Sequence, residues 1–428
     1  MNIKYKFFIL LLLCSSLCFS QSANQTERIT GWQSDIDTLL TLMKTQHIVY
    51  KSKKLPAGLI KSAETLKKNI DKYSDERMFM ELQQLAWYMQ DGHSYILPFS
   101  PKFSAYYLPV QFYIFSDGVF VIDADDANKE LIGKKVLTIN TVPIKKLLAD
   151  MNGYIHQDNK YTVKWFAPTY LRFRSIYERY GLKPGAANVS IKYETDSKKA
   201  ADKAITFIPA HNFHGIPKLF PSKISTSNPV PLYLQQVDNF FWYKEMPEHH
   251  CLYIQFNQVV HKKNESLFRF GDRIDSVLKS VKPNLLIVDV RHNNGGSLEY
   301  LSNLVKAITN FEKTYPGAKI VVISGRNTFS AAQIFITTLN KDTKAIFAGE
   351  PSASSPNFVG EGNYITLPWS GAMGSISNIY HEIIPGDKRK WIEPEIKVEL
   401  SSEKYFTNED PVLAEIFKLA DKNKLPHK

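Results

Sequence analysis

The chain has 428 residues, and its 53 lysines and arginines outnumber its 42 aspartates and glutamates, giving a formal net charge of +11. Hydrophobic residues make up 44% and charged residues 22%, a composition that argues against wholesale disorder. The basic residues are spread along the chain, so the charge favours a solvated basic surface over nucleic-acid binding. The absence of heptads, of a collagen period and of longer internal repeats excludes coiled coils, collagen and solenoids.

Residues 1–20 have the pattern of a secretory signal peptide. Met1–Lys6 is basic, the following stretch is mainly apolar, and Cys18 and Ser20 are small residues at the −3 and −1 positions of a candidate cleavage site. The apolar stretch is shorter than the ~20 residues of a comfortable membrane span. Cys14 and Cys18 leave a lipoprotein alternative, although a leucine precedes each of them where that signal has a small residue. The sequence therefore predicts export to the periplasm or the extracellular space, without stable membrane insertion.

Residues 21–100 are predicted to form an N-terminal helical region. Ser74 is a candidate N-cap, with two acidic residues in the first turn and apolar residues at helical spacing after it. This helix should end before Gly92 and leave His93 in the following turn. A histidine in such a turn is commonly structural, but an imidazole with an ordinary pKa of ~6.5 is also well suited to act as a base.

The predicted secondary structure changes twice after residue 100. Residues 101–214 contain short β-type runs, and the proline-rich residues 215–231 are the best linker candidate. Residues 232–428 alternate apolar strands and helices, which predicts an α/β layer architecture. Within them, the uninterrupted apolar run Leu285–Val290 suits a sheet that is buried on both faces.

A glycine-rich turn follows that apolar run and reads Asp289-Val-Arg-His-Asn-Asn-Gly-Gly-Ser297. Glycines allow a tight turn and expose backbone N–H groups, so Gly295 and Gly296 could bind an anion or an oxyanion. The alternative is a purely structural turn in which Asp289 and Arg291 form an ion pair. The local pattern leaves both interpretations open.

Ser330 lies at a second junction between a buried strand and a helix. A serine at a helix start is commonly an N-cap. It is equally well placed as a nucleophile, because the helix dipole stabilises a developing anion and the N–H of Ala331 can donate to an oxyanion. The lone cysteine beyond the signal peptide, Cys251, lies in an apolar run and is predicted to be a packing residue. The sequence contains no HExxH motif and no paired CxxC motif, so it gives no indication of a metal site.

These motifs together resemble the tail-specific, or C-terminal-processing, serine peptidase family over nearly the whole mature chain. The segment from Asp289 through Arg291 and Asn293 to Gly295-Gly296 is similar to the family's glycine motif, and Thr328-Phe-Ser-Ala-Ala332 is similar to its nucleophile motif. Gly349-Glu-Pro-Ser352 and Trp391-Ile-Glu-Pro-Glu395 follow at family-like intervals. The resemblance implies a crotonase/ClpP-like catalytic domain over residues 232–428 and a degenerate PDZ-like insertion within residues 101–214.

The chain departs from the bacterial processing peptidases at the general base. Their Ser–Lys dyad has its lysine in a Gly-Lys-Gly turn, whereas this chain reads Ser352-Ala-Ser-Ser-Pro356, with Ser355 at the lysine position. The chain is more similar to the tricorn-core-like branch, which uses serine, histidine and an acidic residue. Asp91-Gly-His93 resembles the histidine motif of that branch. The acidic partner is assigned first to Glu393, with Asp387 as the alternative.

The resemblance therefore implies an exported serine peptidase that needs no metal or organic cofactor and acts on a peptide or protein. The implied catalytic residues are Ser330, His93 and Glu393. The implied oxyanion donors are Ala331, Gly295 and Gly296, and the residues that support the turn are Asp289, Arg291 and Asn293. With a histidine base of ordinary pKa, activity should rise through pH ~6–7. A catalytically silent peptide-binding relative and an esterase with the same nucleophile are the alternatives.

Overall fold

The computed structural model describes residues 3–210, 219–224 and 227–426, and it describes side chains from residue 25 onward. The side chains around the predicted cleavage site at Ser20 therefore lie outside the described residues. Of the predicted linker, residues 219–224 and 227–231 are described, and they contain neither a helix nor a strand. None of the described helices combines the length and hydrophobicity that a membrane crossing requires.

Three N-terminal helices form one layer of the molecule: α1 (Ile3–Gln46), α2 (Ala57–Lys67) and α3 (Asp75–Trp87). As predicted, Ser74 caps α3, and its hydroxyl accepts a hydrogen bond of 3.1 Å from the N–H of Arg77. The buried side chains of Trp32 and Ile36 belong to the apolar cluster that holds the three helices together. Burial of this shared face, rather than helix propensity alone, stabilises the layer.

The middle of the chain is rich in short strands, as predicted. The strands are β1 (Tyr95–Ile96), β2 (Ala105–Tyr107), β3 (Val110–Phe115), β4 (Gly118–Ala124), β5 (Lys135–Ile139), β6 (Val142–Pro143), β7 (Asn188–Glu194), β8 (Ala200–Thr206) and β9 (Ile208–Ala210). The helices are α4 (Ile144–Met151), α5 (Lys160–Tyr170) and α6 (Arg174–Glu178). An antiparallel sheet has the order β3-β4-β5-β7-β8, with β6 paired to β5. Apolar side chains from this sheet and from α4, α5 and α6 share one core.

The C-terminal part alternates strands and helices, which confirms the predicted α/β character. The helices are α7 (Leu267–Val281), α8 (Ser302–Thr314), α9 (Ala331–Asp342), α10 (Ser402–Phe406) and α11 (Pro411–Asp421). The strands are β10 (Phe241–Met246), β11 (Cys251–Phe256), β12 (Leu285–Asp289), β13 (Lys319–Ser324), β14 (Ile346–Gly349), β15 (Phe358–Thr366), β16 (Met373–His381) and β17 (Ile396–Lys397). The central sheet has the order β10-β11-β12-β13-β14-β17, and only the β10–β11 pair is antiparallel.

The strands of the central sheet position the functional loops. Every residue of β12 is buried, as expected for a parallel strand covered on both faces. In such sheets the loops that follow the carboxyl ends of the strands meet at one edge, which is where ligands bind. The glycine turn follows β12 and the Ser330 loop follows β13, so both loops emerge at that edge. Cys251 lies buried in β11, and burial raises the pKa of its thiol to about 12, which suits a packing residue.

A third sheet joins the two ends of the chain. Its order is β1-β16-β15, and in it Tyr95 of β1 lies opposite Ser375 of β16. Apolar residues of β15 and β16, including Ile365 and Ile376, share a cluster with the N-terminal helices. The turn at residues 91–94 directly precedes β1, so this pairing brings His93 to the C-terminal half of the molecule.

Candidate active site

Ser330 has a strained backbone and a hydroxyl group that does not cap its helix. Its φ is +56° and its ψ is −127°, and its side chain makes no capping hydrogen bond at the start of α9. A residue other than glycine in this region costs about 1–3 kcal/mol, and such residues cluster at functional sites. Nucleophilic serines are presented on strained strand-to-helix turns of this kind. The N-cap interpretation of Ser330 is therefore not what the structure shows.

The glycine turn after β12 lies directly against Ser330. Gly295 has a φ of +105° and Gly296 a φ of +139°. A Cβ atom on Gly295 would lie 2.7 Å from the Cβ of Ser330, and one on Gly296 would lie 2.1 Å from the carbonyl oxygen of Val259. Both contacts are too short for a real side chain, so glycine is required at both positions. The missing side chain lets the turn approach Ser330 at Gly295 and Val259 at Gly296.

The N–H groups at this turn are not equally available. Gly295 donates its N–H to Asn293 Oδ1 at 3.0 Å, and Asn293 in turn donates to the carbonyl oxygen of Phe256 at 3.1 Å. Within the described residues, the N–H groups of Gly296 and Ala331 have no hydrogen-bond partner. The predicted donors Ala331 and Gly296 are thus free, whereas the N–H of Gly295 is occupied within the turn itself.

The predicted pair of Asp289 and Arg291 is an ion pair that supports the turn. Arg291 Nε lies 3.0 Å from Asp289 Oδ1, and its Nη2 lies 2.9 Å from Asp410 Oδ2. The hydroxyl of Tyr253 donates to Asp289 Oδ2 at 2.7 Å. Asp410 also caps α11, and nothing in the local sequence links it to the glycine turn. These contacts anchor the turn to the C-terminal helix.

His93 lies beside the nucleophile loop. Its ring stacks on that of Phe329, with 4.3 Å between the centroids, and on that of Phe358 at 5.4 Å. Both ring nitrogens are buried, and neither has a hydrogen-bond partner within the described chain, so no bond to Ser330 is formed in this structure. Burial lowers the pKa of His93 to about 4 despite the opposing charge of Asp91. The imidazole is therefore neutral near pH 7 and can accept a proton.

Asp91 shapes the turn that carries His93. Its Oδ1 accepts hydrogen bonds from the N–H of His93 at 2.8 Å, the N–H of Ser94 at 2.7 Å and the hydroxyl of Ser377 at 2.7 Å. Its Oδ2 lies 2.9 Å from His47 Nε2. Burial alone would raise the pKa of Asp91, but the hydrogen bonds from His47, Ser377 and Ser94 bring it below its ordinary value. Asp91 is thus an ionised structural carboxylate.

The structure does not bring the predicted acidic residues to His93. Glu393 is half exposed, its Oε1 pairs with Lys397 Nζ at 2.6 Å, and its Oε2 accepts a hydrogen bond from Trp391 Nε1 at 2.5 Å. Asp387 pairs with Arg389 at 2.6 Å. Each carboxylate is held by a basic residue close to it in sequence. Neither provides the third member of a catalytic triad in this arrangement.

Sequence reasoning missed Asp158, whose carboxyl group lies beneath the histidine turn. Asp158 Oδ1 accepts a hydrogen bond of 2.8 Å from the N–H of Gly92. Burial, and then the charge of Asp91, raise the pKa of Asp158 to about 7. The only local signal was its position before Asn159, which forms a capping box with Thr162 at the start of α5. That signal explains a helix start and gives no reason to suspect a buried carboxyl group.

A cavity of about 310 Å³ opens beside Ser330. His381 and Glu361 face each other in its wall, with 3.7 Å between Nε2 and Oε1. Glu361 has a φ of +43°, and the β15–β16 pairing is interrupted at this residue, with the same register on both sides. None of the described residues lining the cavity is a lysine or an arginine. The lining residues are Gly296, Ser297, Leu298, Glu299, Ser330, Ala331, Ile334, Phe358, Glu361 and His381.

The fold is similar to those of several solved structures. Mature CPAF in complex with lactacystin matches with a TM-score of 0.65 and 14% identity, over 92% of this chain and 98% of that chain. Mature CPAF alone matches with a TM-score of 0.63 and 13% identity, over 93% and 99%. The photosystem II D1 C-terminal processing protease matches with a TM-score of 0.41 and 11% identity, over 92% and 98%.

No family model and no curated protein matches the sequence. The two CPAF structures show that this chain has the CPAF fold along nearly its whole length. Similarity at this level of identity establishes architecture, and the chemistry must be argued from the site itself.

Proposed function

We propose that the protein is an exported serine peptidase in which Ser330 is the nucleophile. The observation that carries this proposal is the backbone of Ser330, which is strained although the hydroxyl caps no helix. Ser330 lines a cavity together with Gly296 and Ala331, whose N–H groups are free within the described residues. A strained serine beside two free donors is the arrangement that acyl transfer requires.

In the proposed mechanism, Ser330 Oγ attacks the substrate carbonyl carbon while His93 accepts the hydroxyl proton. Gly296 and Ala331 stabilise the oxyanion, and His93 returns the proton to the leaving amine. Because His93 has no hydrogen bond to Ser330 here, that bond forms when substrate occupies the cavity. None of the described residues that line the cavity is a lysine, which argues against a Ser–Lys dyad, and His93 packs on Phe358, one of the lining residues.

We also propose where the enzyme acts and which domains it contains. The basic and apolar pattern of residues 1–20 supports export to the periplasm or the cell exterior. The mainly parallel sheet with α7, α8 and α9 supports a crotonase/ClpP-like catalytic domain over residues 232–428. The antiparallel sheet with α4 supports a PDZ-like region within residues 101–214. That region would bind a peptide end as an added strand.

Two observations favour a second candidate, a catalytically silent relative that binds peptides. The ring nitrogens of His93 make no hydrogen bond, and the exposed Glu393 is paired with Lys397 instead of the histidine. A protein of this kind would retain the cavity beside Ser330 but would not transfer a proton. Labelling of Ser330 by a fluorophosphonate distinguishes the two candidates, because only an activated serine reacts.

The decisive experiment compares the purified wild type with Ser330→Ala, His93→Ala and the double variant. Peptide hydrolysis should be abolished by Ser330→Ala and reduced nearly as much by His93→Ala. The double variant should lose little more, because members of one catalytic unit are non-additive. Thermal melts provide the control, because Ser330→Ala should leave the melting temperature close to that of the wild type. Wild-type hydrolysis by Ser330→Ala would overturn the assignment, and turnover of esters alone would support an esterase.

A further inference from the structure

The segment of residues 157–162 connects the histidine turn to the rest of the site. On one side, Gln157 donates its N–H to the carbonyl oxygen of Asp91 at 3.1 Å. Asp158 Oδ1 accepts the N–H of Gly92 at 2.8 Å. Two adjacent residues of this segment therefore hold two adjacent residues of the turn that carries His93.

On its other side, the same segment holds the loop that supports the nucleophile. Asn159 Nδ2 donates to the carbonyl oxygen of Ser352 at 3.2 Å, and the Thr162 hydroxyl donates to that of Ala353 at 2.5 Å. Ala353 donates its N–H to the carbonyl oxygen of Thr328 at 3.0 Å. A continuous series of hydrogen bonds thus runs from the histidine turn to the residue two positions before the serine.

Packing makes this connection stiff at Gly92. A Cβ atom on Gly92 would lie 2.8 Å from the ring of Phe329 and 3.1 Å from Cγ of Asp158. Gly92 is therefore clamped between the Asp158 carboxyl group and the ring on which His93 stacks. Because the packing around Gly92 is tight, a shift of the Asp158 carboxyl group must move the histidine turn relative to Phe329.

We propose that Asp158 is a positioning residue whose carboxyl group fixes the turn at residues 91–94, and thereby places the His93 ring beside Ser330. The effect of Asp158 on catalysis rests on the proposed function, whereas its control over the turn at residues 91–94 does not. Asp158 Oδ2 is buried without a hydrogen bond in the described chain, and the Ser354 side chain lies near enough to the carboxyl group to lower its pKa. A carboxyl group with one oxygen engaged and one buried and free is poised to change its contacts when it gains or loses a proton.

The charges around the carboxyl group define when that change occurs. The turn presents the ionised Asp91 and the neutral His93, and the loop before β17 presents Lys390, whose charge lowers the pKa of Asp158 slightly. The neutral His156 directly precedes the segment of residues 157–162. Burial and Asp91 outweigh Lys390, so the pKa of Asp158 is about 7. Ionisation adds a second negative charge to a pocket that already holds Asp91, and the environment of His93 should change near neutral pH.

The first test follows the His93 ring directly by NMR of protein with ¹³C-labelled histidine, with the resonance assigned by comparison with His93→Gln. In the wild type, the chemical shift of His93 should show a step with a midpoint near pH 7. Asp158→Asn retains the acceptor for Gly92 but cannot titrate, so the step should disappear. Asp35→Asn is the matched control, because Asp35 is buried and accepts the N–H groups of Trp369 and Ser370 at 2.9 Å. It should leave the step unchanged, and a step that persists in Asp158→Asn overturns the proposal.

The second test is kinetic and separates positioning from folding. Asp158→Ala removes the acceptor and should lower kcat at least tenfold with KM within twofold of the wild type. Asp158→Asn should keep kcat within about threefold while losing any inflection near pH 7. Full activity of Asp158→Ala contradicts the proposal. If the wild type has no turnover at all, the proposed function fails, and the NMR step still decides whether Asp158 controls the turn.

Discussion

At the scale of single residues, His93 sets the pH dependence that the proposed mechanism predicts. Burial lowers its pKa to about 4, whereas a histidine with an ordinary pKa would give an activity that rises through pH ~6–7. We therefore expect kcat/KM, which reports the free enzyme, to rise with a midpoint near pH 4. The measurement is made in Asp158→Asn, which removes the titration of Asp158. A single rise near pH 6.5 in that variant would show that the ring is solvated in solution.

Asp158 makes a separate prediction about stability. Its pKa is about 7 in the folded state, above the ordinary 3.8, so the folded protein binds a proton that the unfolded chain releases. Stability contributed by this proton is present below pH ~4 and is lost as the pH rises to about 7. Asp158→Asn should therefore be more stable than the wild type at pH 8, by a few kcal/mol. Urea unfolding at pH 8 and pH 4 measures this, and an equal effect at both values would contradict it.

At the scale of the elements, the glycine turn after β12 places the oxyanion donors. In Gly296→Ala the new Cβ would lie 2.1 Å from the carbonyl oxygen of Val259, at a φ that side chains rarely adopt. The turn must therefore move, so that the free N–H of Gly296 no longer points towards the oxyanion. We expect kcat to fall roughly 10²–10³-fold. Gly317→Ala is the control, because nothing lies within 4 Å of its added Cβ. Equal kcat values for the two variants would exclude an oxyanion role for Gly296.

The helix α11 should stabilise the same turn from the far end of the chain. Asp410 caps α11 and also pairs with the buried Arg291. Asp410→Ala removes a cap and leaves the Arg291 charge partly uncompensated, which should cost about 3–5 kcal/mol in the free energy of unfolding. The control is Glu415→Ala, which removes only an exposed pair with Lys418 and should cost below about 1 kcal/mol. Similar losses for both variants would show that the Arg291 network has little energetic weight.

At the scale of the whole molecule, the two halves of the chain are joined by more than the linker. The β1–β16 pairing and the apolar cluster of the N-terminal helices with β15 and β16 cross between them. A specific protease site inserted between Lys223 and Ile224 should therefore yield two fragments that co-elute on gel filtration and keep the activity of the uncut chain. Dissociation of the fragments at micromolar concentration would contradict this account.

The sequence predicted best those features whose determinants are adjacent along the chain. The helix start at Ser74, the buried strand β12 and the turn at Gly295 follow from local capping residues, hydrophobic periodicity and glycine content. Asp158 and Glu361 escaped because their roles depend on which distant segments lie beside them. Glu393 was chosen from its place in a local motif, and its pairing with Lys397 could be found only from side-chain geometry.

The pairing of β1 with β16 also bears on how such a molecule is made. The segment with His93 leaves the ribosome early in synthesis. Strand β16, with which β1 pairs, leaves it only near the end. Until Met373–His381 has emerged, the histidine turn has no strand to dock on, and Asp91 lacks its bond from Ser377. In the proposed mechanism, a growing chain therefore carries Ser330 before its base is in place. The order of synthesis itself would keep the unfinished chain inactive until its last strands have been made.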